Sequence, residues 1–175
     1  IYHNIALMLL YTFSLYFMTT RVFGEEVAIY TSLIAPITPH ALSFLYGGFQ
    51  ANLFTLSLIQ IAIGLILDSR MRIYVRLPAI ASLSAIALMT HIYTWAQYLL
   101  SMSIAMIVTT TITICSKLFG KKIKIKSVQT LLGLASFLAP GVAMEIVLEI
   151  FSSSRRIDVA WLTMQVLSIL RNGLD

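Results

Sequence analysis

Long apolar runs separated by short polar gaps occupy almost the whole chain. A helix needs about 20 mainly apolar residues to cross the hydrocarbon core of a bilayer, and each run is close to that length. The pattern therefore predicts an all-α fold, a polytopic integral membrane helical bundle with about five transmembrane helices. The runs cover residues 5–20, 27–45, 50–67, 77–95, 96–116 and 128–151.

The second run differs from the others because helix-breaking residues interrupt it. It contains Pro36 and Pro39 and leads into the pair Gly47 and Gly48. Proline removes a backbone N–H donor and bends a helix. Irregular backbone at membrane depth is tolerated only inside protein or beside a wet cavity. We expect a broken or re-entrant segment here in place of a straight spanning helix.

The C-terminal residues predict a helix of another kind. Apolar side chains recur there at helical spacing in a segment too short to span, which is typical of an amphipathic helix at the membrane surface. The predicted domains are a transmembrane helical domain, residues 1–156, and an amphipathic interfacial helix, residues 157–175. The recurring positions are Ile157, Ala160, Trp161, Met164 and Leu167.

Composition and charge agree with membrane residence. The 175 residues are 59% hydrophobic and 11% charged, whereas about a quarter of a soluble domain is charged. A net charge of +5 would suggest a nucleic-acid partner in a soluble chain, but here the basic residues flank the apolar runs. We therefore predict no nucleic-acid partner, a lipid environment, and a multi-pass protein of the plasma (cell) membrane.

The basic residues also predict the topology. They cluster in residues 68–76 and 117–126, and cytoplasmic loops carry an excess of Lys and Arg. Both segments should face the cytoplasm, which places residues 44–52 and 91–97 on the outer side.

Two features of this topology stay open. The connector after the first run carries Arg21 against Glu25 and Glu26, which gives little bias to either side. The pair Arg155 and Arg156 would lie outside, against the rule, unless Pro140–Gly141 interrupts the last run.

Polar and aromatic residues that packing does not readily explain collect on the predicted outer side. Each has a structural alternative. Tyr93 and Trp95 fit an aromatic belt, His91 fits a capped, solvated histidine at a helix end, and Gly47–Gly48 fits a tight turn. The candidate binding residues are His40, Gly47, Gly48, Gln50, Tyr93, Trp95, Arg155 and Arg156.

The candidate catalytic residues are Glu145, Glu149 and His91. The two glutamates are spaced i, i+4 and share a helix face, and a carboxylate within a membrane is costly unless it is paired, solvated or near the interface. They are predicted to act as a base, proton relay or cation ligand, or to mark where the helix leaves the membrane. No phosphate-binding loop, metalloprotease helix or serine elbow occurs. The single Cys115 gives no metal-type spacing, so no metal site is predicted and the cofactor is unknown.

Two short stretches resemble a known enzyme family. Residues 40–53, which contain Gly-Gly-Phe-Gln-Ala-Asn, and residues 88–95, which read Leu-Met-Thr-His-Ile-Tyr-Thr-Trp, are similar to prokaryotic, especially archaeal, polytopic glycosyltransferases of the GT-C type. The resemblance covers about residues 36–100.

That resemblance implies transfer of a sugar from a polyprenyl-phosphate donor on the outer face. It implies that His40 and His91 line the donor or acceptor cavity and that Arg155 or Arg156 contacts the lipid phosphate. The family's acidic motif in an early outer loop has no match beyond Glu25–Glu26. The chain is also shorter than such enzymes, so the resemblance implies a fragment, a partial chain or a reduced relative.

Three functions remain open from the sequence. The chain resembles a glycosyltransferase core that binds a polyprenyl-phosphate-linked sugar. Alternatively, it is a non-catalytic membrane subunit that packs against partner subunits in a larger complex. In the third hypothesis the chain is a small transporter. The proline-broken segment and Glu145–Glu149 would then form a site at the membrane midplane.

Overall fold

The computed structural model describes residues 2–38, 41–42, 50–119 and 125–151, with the backbone alone at residues 125 and 149–151. Six α-helices lie in this part of the chain, together with a 3-10 turn at Ala35–Ile37, and it contains no strand. The helices are α1 Tyr2–Val22, α2 Glu25–Ile34, α3 Gln50–Leu67, α4 Ile73–Thr90, α5 Ile92–Leu118 and α6 Ile125–Phe151.

Five of these helices, α1 and α3 to α6, are long and apolar enough to cross a membrane. The predicted all-α membrane bundle with about five spans is thereby confirmed, and the chain is a multi-pass membrane protein. The predicted interfacial helix and the predicted domain boundary after residue 156 lie outside the described residues.

The predicted break in the second run is confirmed in its described part. Gly24, whose φ of 95° suits glycine, connects α1 to α2. Helix α2 lasts only 10 residues, and the 3-10 turn that contains Pro36 follows it. Proline cannot donate the backbone bond that would extend α2, so the helix ends well short of a full crossing.

The helix bounds differ from the predicted runs by a few residues, and two further differences change how the helices are divided. The break between α4 and α5 falls at His91, four residues before the expected boundary at Trp95, because His91 adopts an extended conformation and caps α5. Helix α6 is continuous through Pro140, where we expected an interruption. A proline costs one helical bond, and neighbouring helices can compensate for it inside a membrane bundle.

Helices α1 and α3 run parallel to each other. Three side-chain contacts pair residues that are separated by 46 or 47 positions, so the register is constant along the pair. The contacts are Asn4 with Gln50 at 2.9 Å, Ser14 with Gln60 at 2.7 Å, and Arg21 with Asp68 at 3.0 Å.

This parallel pairing has a topological consequence. Residues 23–49 must carry the chain back from the end of α1 to the start of α3, at the opposite end of the pair. The described part of this connection contains α2 and the 3-10 turn, and the rest of it lies outside the described residues. Arg21 also lies at the same end as Asp68, which we name the inner end. The side of the first connector, left open by the sequence, is therefore the side of residues 68–72.

Helix α3 is the central helix of the bundle. It contacts α1, α4 and α5, and ten of its residues are buried. Helix α5, although longer, has only Trp95 and Met102 buried. Members of the main core are Leu58, Ile59, Ala62, Leu65, Ile66, Ile80, Ala87, Leu88, Trp95, Met102, Leu134 and Phe137.

The chain divides into two compact units, residues 1–141 and 142–175. In the first unit, α6 approaches the bundle through Gly133, which packs against the Ile66 side chain, and through Phe137. In the second unit, the described part of α6 after Gly141 is helical, and its side chains up to Leu148 are exposed.

Candidate functional site

The structure describes five of the predicted site residues with their side chains: Gln50, His91, Tyr93, Trp95 and Glu145. Glu149 is described by its backbone alone. The remaining candidates, His40, Gly47, Gly48, Arg155 and Arg156, lie outside the described residues.

His91 caps the first turn of α5. Its Nδ1 accepts a hydrogen bond from the backbone N–H of Thr94 at 3.2 Å and lies 3.0 Å from the Thr94 hydroxyl oxygen. A nitrogen that accepts from a backbone N–H carries no proton, so the neutral ring is protonated at Nε2. His91 therefore caps α5, and its Nδ1 is occupied by this contact.

Trp95 forms part of the buried core. Its side chain is 4% exposed and stacks on Phe137 with ring centroids 6.4 Å apart. Its indole Nε1–H donates to Ser84 Oγ at 2.9 Å, and that hydroxyl donates to the Phe137 carbonyl at 2.6 Å. Gly141 gives the indole room, because a Cβ there would collide with the ring. Trp95 thus joins α4, α5 and α6, and its donor is used within the protein.

Tyr93 and Gln50 have different surroundings. The Tyr93 side chain is 58% exposed, with its ring tilted against the His91 ring at a centroid distance of 6.0 Å. Gln50 donates from Nε2 to Asn4 Oδ1 and so joins the first residues of α3 to α1. Of the predicted outer-side group, the structure brings together His91, Tyr93 and Trp95 on one turn of α5.

Glu145 is exposed on α6, in the second unit. Glu149 follows one turn later on the same continuous helix, so the i, i+4 spacing places both residues on one face. Within the described ranges, no group of three or more His, Cys, Asp or Glu residues could hold a metal ion.

A charged cluster at the inner end was not predicted from the sequence. The Asp68 carboxylate accepts hydrogen bonds from Nε and Nη2 of Arg21, at 3.1 and 3.0 Å, and from the Arg70 backbone N–H at 2.8 Å. The Arg21 guanidinium also lies 4.9 Å from the centre of the Phe17 ring. The sequence Asp68-Ser69-Arg70 could have indicated part of this cluster, because an Asp side chain often accepts a hydrogen bond from the backbone N–H two residues later.

Arg76 is the least expected member of this cluster. Its side chain is 1% exposed, and its Nη1 donates to the Asp68 carbonyl oxygen at the end of α3. The other two donor atoms, Nε and Nη2, are buried and have no hydrogen-bond partner. A buried guanidinium with unsatisfied donors is costly, so this residue needs a further explanation.

Helix α5 carries a shallow groove near its inner end. Its volume is about 390 Å³, and its lining residues follow one face of the helix. The small side chains of Cys115 and Ser116 lie between those of Ile112 and Phe119. The lining residues are Thr111, Ile112, Cys115, Ser116 and Phe119.

Asp68 predicts a pH-dependent stability. Burial alone would raise the pKa of its carboxyl, but the Arg70 N–H and the Arg21 guanidinium outweigh burial, and the pKa lies below its ordinary value. On acidification the unfolded state binds the proton first. The contribution of ionised Asp68 to the free energy of unfolding is therefore present above about pH 4 and is lost as the pH falls through the pKa of the folded state. We expect Asp68→Asn to lose about 1–2 kcal/mol at neutral pH, between the values for exposed and buried ion pairs.

The measurement is thermal unfolding in mild detergent between pH 3 and pH 7. The Asp68→Asn variant should show a smaller drop in unfolding temperature on acidification than the unmodified chain. Glu26→Gln is the matched control, because Glu26 is exposed and forms no ion pair with any described residue. An equal acid-induced drop in the unmodified chain and in Asp68→Asn would contradict the assignment.

Comparison of the chain with protein-family models, with curated proteins and with solved structures finds no match.

Proposed function

We propose that the chain is a non-catalytic subunit of a plasma-membrane complex, and that α5 packs against a transmembrane helix of a partner protein. The observation that carries this proposal is the surface of α5. The helix has 27 residues, of which only Trp95 and Met102 are buried. Within the described residues α5 contacts α3 and α4, and it contacts α6 through Trp95. Most of its length is left for another occupant.

The groove on α5 favours contact with a partner helix over contact with lipid alone. Helix association in membranes depends on close van der Waals packing, which small residues allow. Thr111 and Cys115 are one turn apart on the groove. The Thr111 hydroxyl donates to the Ile107 carbonyl at 2.9 Å, so it brings no unsatisfied donor to an apolar partner.

The described candidate residues support this proposal over catalysis. His91 caps a helix and Trp95 fills the core. Glu145 is exposed and forms no ion pair with any described residue. General acid–base chemistry needs groups within hydrogen-bond reach of one another or of a shared substrate. The glycosyltransferase and transporter hypotheses stay predictions and rank below the subunit.

Cys115 offers a direct test, because it is the only cysteine of the chain and is exposed in the groove. We expect a photo-activated cross-linker attached to Cys115 in native membranes to form an adduct with a transmembrane helix of one protein. That same protein should co-purify with the chain at a fixed stoichiometry in mild detergent.

The matched control moves the only cysteine to another helix. Leu9 on α1 is 65% exposed, so Leu9→Cys in a Cys115→Ser background places the cross-linker on a comparable apolar surface. We expect little protein adduct from that position. Adducts with lipid alone at Cys115, or equal protein adducts from both positions, would overturn the proposal.

A further inference from the structure

The inner end of the α3–α4 hairpin carries more positive charge than its carboxylate neutralises. Residues 68–72 connect the two helices and contain Arg70 and Arg72, both exposed. Arg76 follows in the first turn of α4, and Asp68 is already paired with Arg21. That ion pair is the only one formed among the described residues, so Arg70, Arg72 and Arg76 have no carboxylate partner there.

Arg76 carries a buried positive charge whose hydrogen-bond donors are not all satisfied. The guanidinium reaches back from α4 to the Asp68 carbonyl and so lies against the connection. Its Nε and Nη2 are buried without a hydrogen-bond acceptor. Leaving a buried charged donor unsatisfied costs several times more than an ordinary hydrogen bond contributes. An anion bound at the connection would satisfy the guanidinium.

The start of α4 adds a second source of positive potential. Arg72 is the N-cap residue of α4, and no side chain there accepts a hydrogen bond from the first turn. Free N–H groups and the helix dipole make such a terminus attractive to phosphate. The Arg72 side chain is also held in place, because its Nη1 donates to the Tyr74 hydroxyl at 2.7 Å.

We propose that the connection 68–72 and the first turn of α4 bind a phosphate group, held by Arg70, Arg72 and Arg76. This site does not depend on the partner-helix proposal, because it lies on α3 and α4 and not on α5. The two buried donors of Arg76 are covered by protein, so binding requires the exposed connection to shift and uncover them.

The surroundings favour a lipid head group as the source of the phosphate. The arginines lie at the ends of two membrane-spanning helices, which is the depth of lipid head groups. Exposed apolar side chains flank them and can contact an acyl chain. Basic pockets of this kind on the cytoplasmic side recognise anionic lipids. The flanking residues are Leu67, Met71, Tyr74 and Val75, all at least 40% exposed.

The test measures lipid binding to the purified full chain in mild detergent by native mass spectrometry. Dioleoylphosphatidylglycerol should bind more tightly than dioleoylphosphatidylcholine, which has the same acyl chains but no net charge. Each arginine near the membrane surface is worth about fivefold in affinity. We therefore expect Arg70→Gln combined with Arg72→Gln to weaken phosphatidylglycerol binding about 25-fold, and Arg76→Met to weaken it further if that variant folds.

Lys117→Gln is the matched control, since Lys117 is an exposed basic residue in the last turn of α5. It should keep the affinity of the unmodified chain. Equal binding of the two lipids, unchanged binding in the double variant, or an equal loss in Lys117→Gln would each overturn the site.

A second measurement distinguishes the source of the phosphate. Sodium phosphate at constant ionic strength is added to the detergent-solubilised chain without lipid, and the unfolding temperature is recorded. Stabilisation that the double variant loses would assign the site to free phosphate, while lipid selectivity without this effect would assign it to a head group. If neither effect is observed, the proposal is overturned.

Discussion

Trp95→Ala should lower the free energy of unfolding by about 3 kcal/mol, near the lower end of the range for large aromatic residues. The substitution empties the space between Phe137 and Gly141 and removes the donor to Ser84. The lower end applies because lipid tails are as apolar as the core, so the loss comes from packing and hydrogen bonding and not from transfer into water.

The measurement is pulse proteolysis during a titration with sodium dodecyl sulfate. Tyr93→Ala is the matched control: it removes an aromatic ring two residues away on the same helix, but that ring is 58% exposed, so we expect a change within about 0.5 kcal/mol. Trp95→Phe keeps a ring and deletes only the N–H, which should cost about 1 kcal/mol. Equal midpoints for Trp95→Ala and Tyr93→Ala would contradict the structural role of Trp95.

The second large effect is expected at Gly64, where α1 and α3 approach closely. A Cβ at this position would lie 2.5 Å from two carbons of the Phe17 ring. Overpacking of this kind typically costs about 1–3 kcal/mol. Gly64→Leu also displaces the Phe17 ring beneath Arg21 and thereby disturbs the ion pair with Asp68. We expect a loss of about 3 kcal/mol in the same unfolding titration.

Two substitutions of increasing size at Gly64 and one control elsewhere on α3 distinguish a steric clash at Gly64 from a general loss of stability when larger residues are introduced on α3. Gly64→Ala should cost less than Gly64→Leu, because the Phe17 ring can move away from one methyl group more easily than from a branched chain. Ala51→Leu is the matched control, since Ala51 is exposed on the first turn of α3. A loss at Ala51→Leu as large as at Gly64→Leu would contradict the close approach of α1 and α3.

Hydropathy predicted the spanning helices well because the change from apolar to charged residues is abrupt. Helix α3 covers Gln50–Leu67, the same residues as its apolar run, since Asp68 follows directly. The boundary between α4 and α5 was harder to place, because no charged residue interrupts the chain between Arg76 and Lys117. There the helix break depends on one backbone conformation, that of His91.

The roles of individual site residues depended on contacts that the sequence does not contain. Trp95 could belong to an aromatic belt or to a binding site, and only the positions of Ser84 and Phe137 place it in the core. By sequence alone, Arg76 belongs to the basic segment 68–76 that predicts the topology. Its burial follows from the helical first turn of α4, which begins at Ile73 and turns the side chain back toward Asp68.

The parallel pairing of α1 with α3 also determines the order in which the bundle can assemble. Three polar contacts between them join residues 46 or 47 positions apart. At a synthesis rate of about 5–20 residues per second, α1 is complete several seconds before its partner is made. During that interval Ser14 has no Gln60 to bond and Arg21 has no carboxylate at Asp68. Until residues 50–68 are made, α1 lacks these polar partners and contacts α2, so the α1–α2 pair can form before the parallel pair with α3.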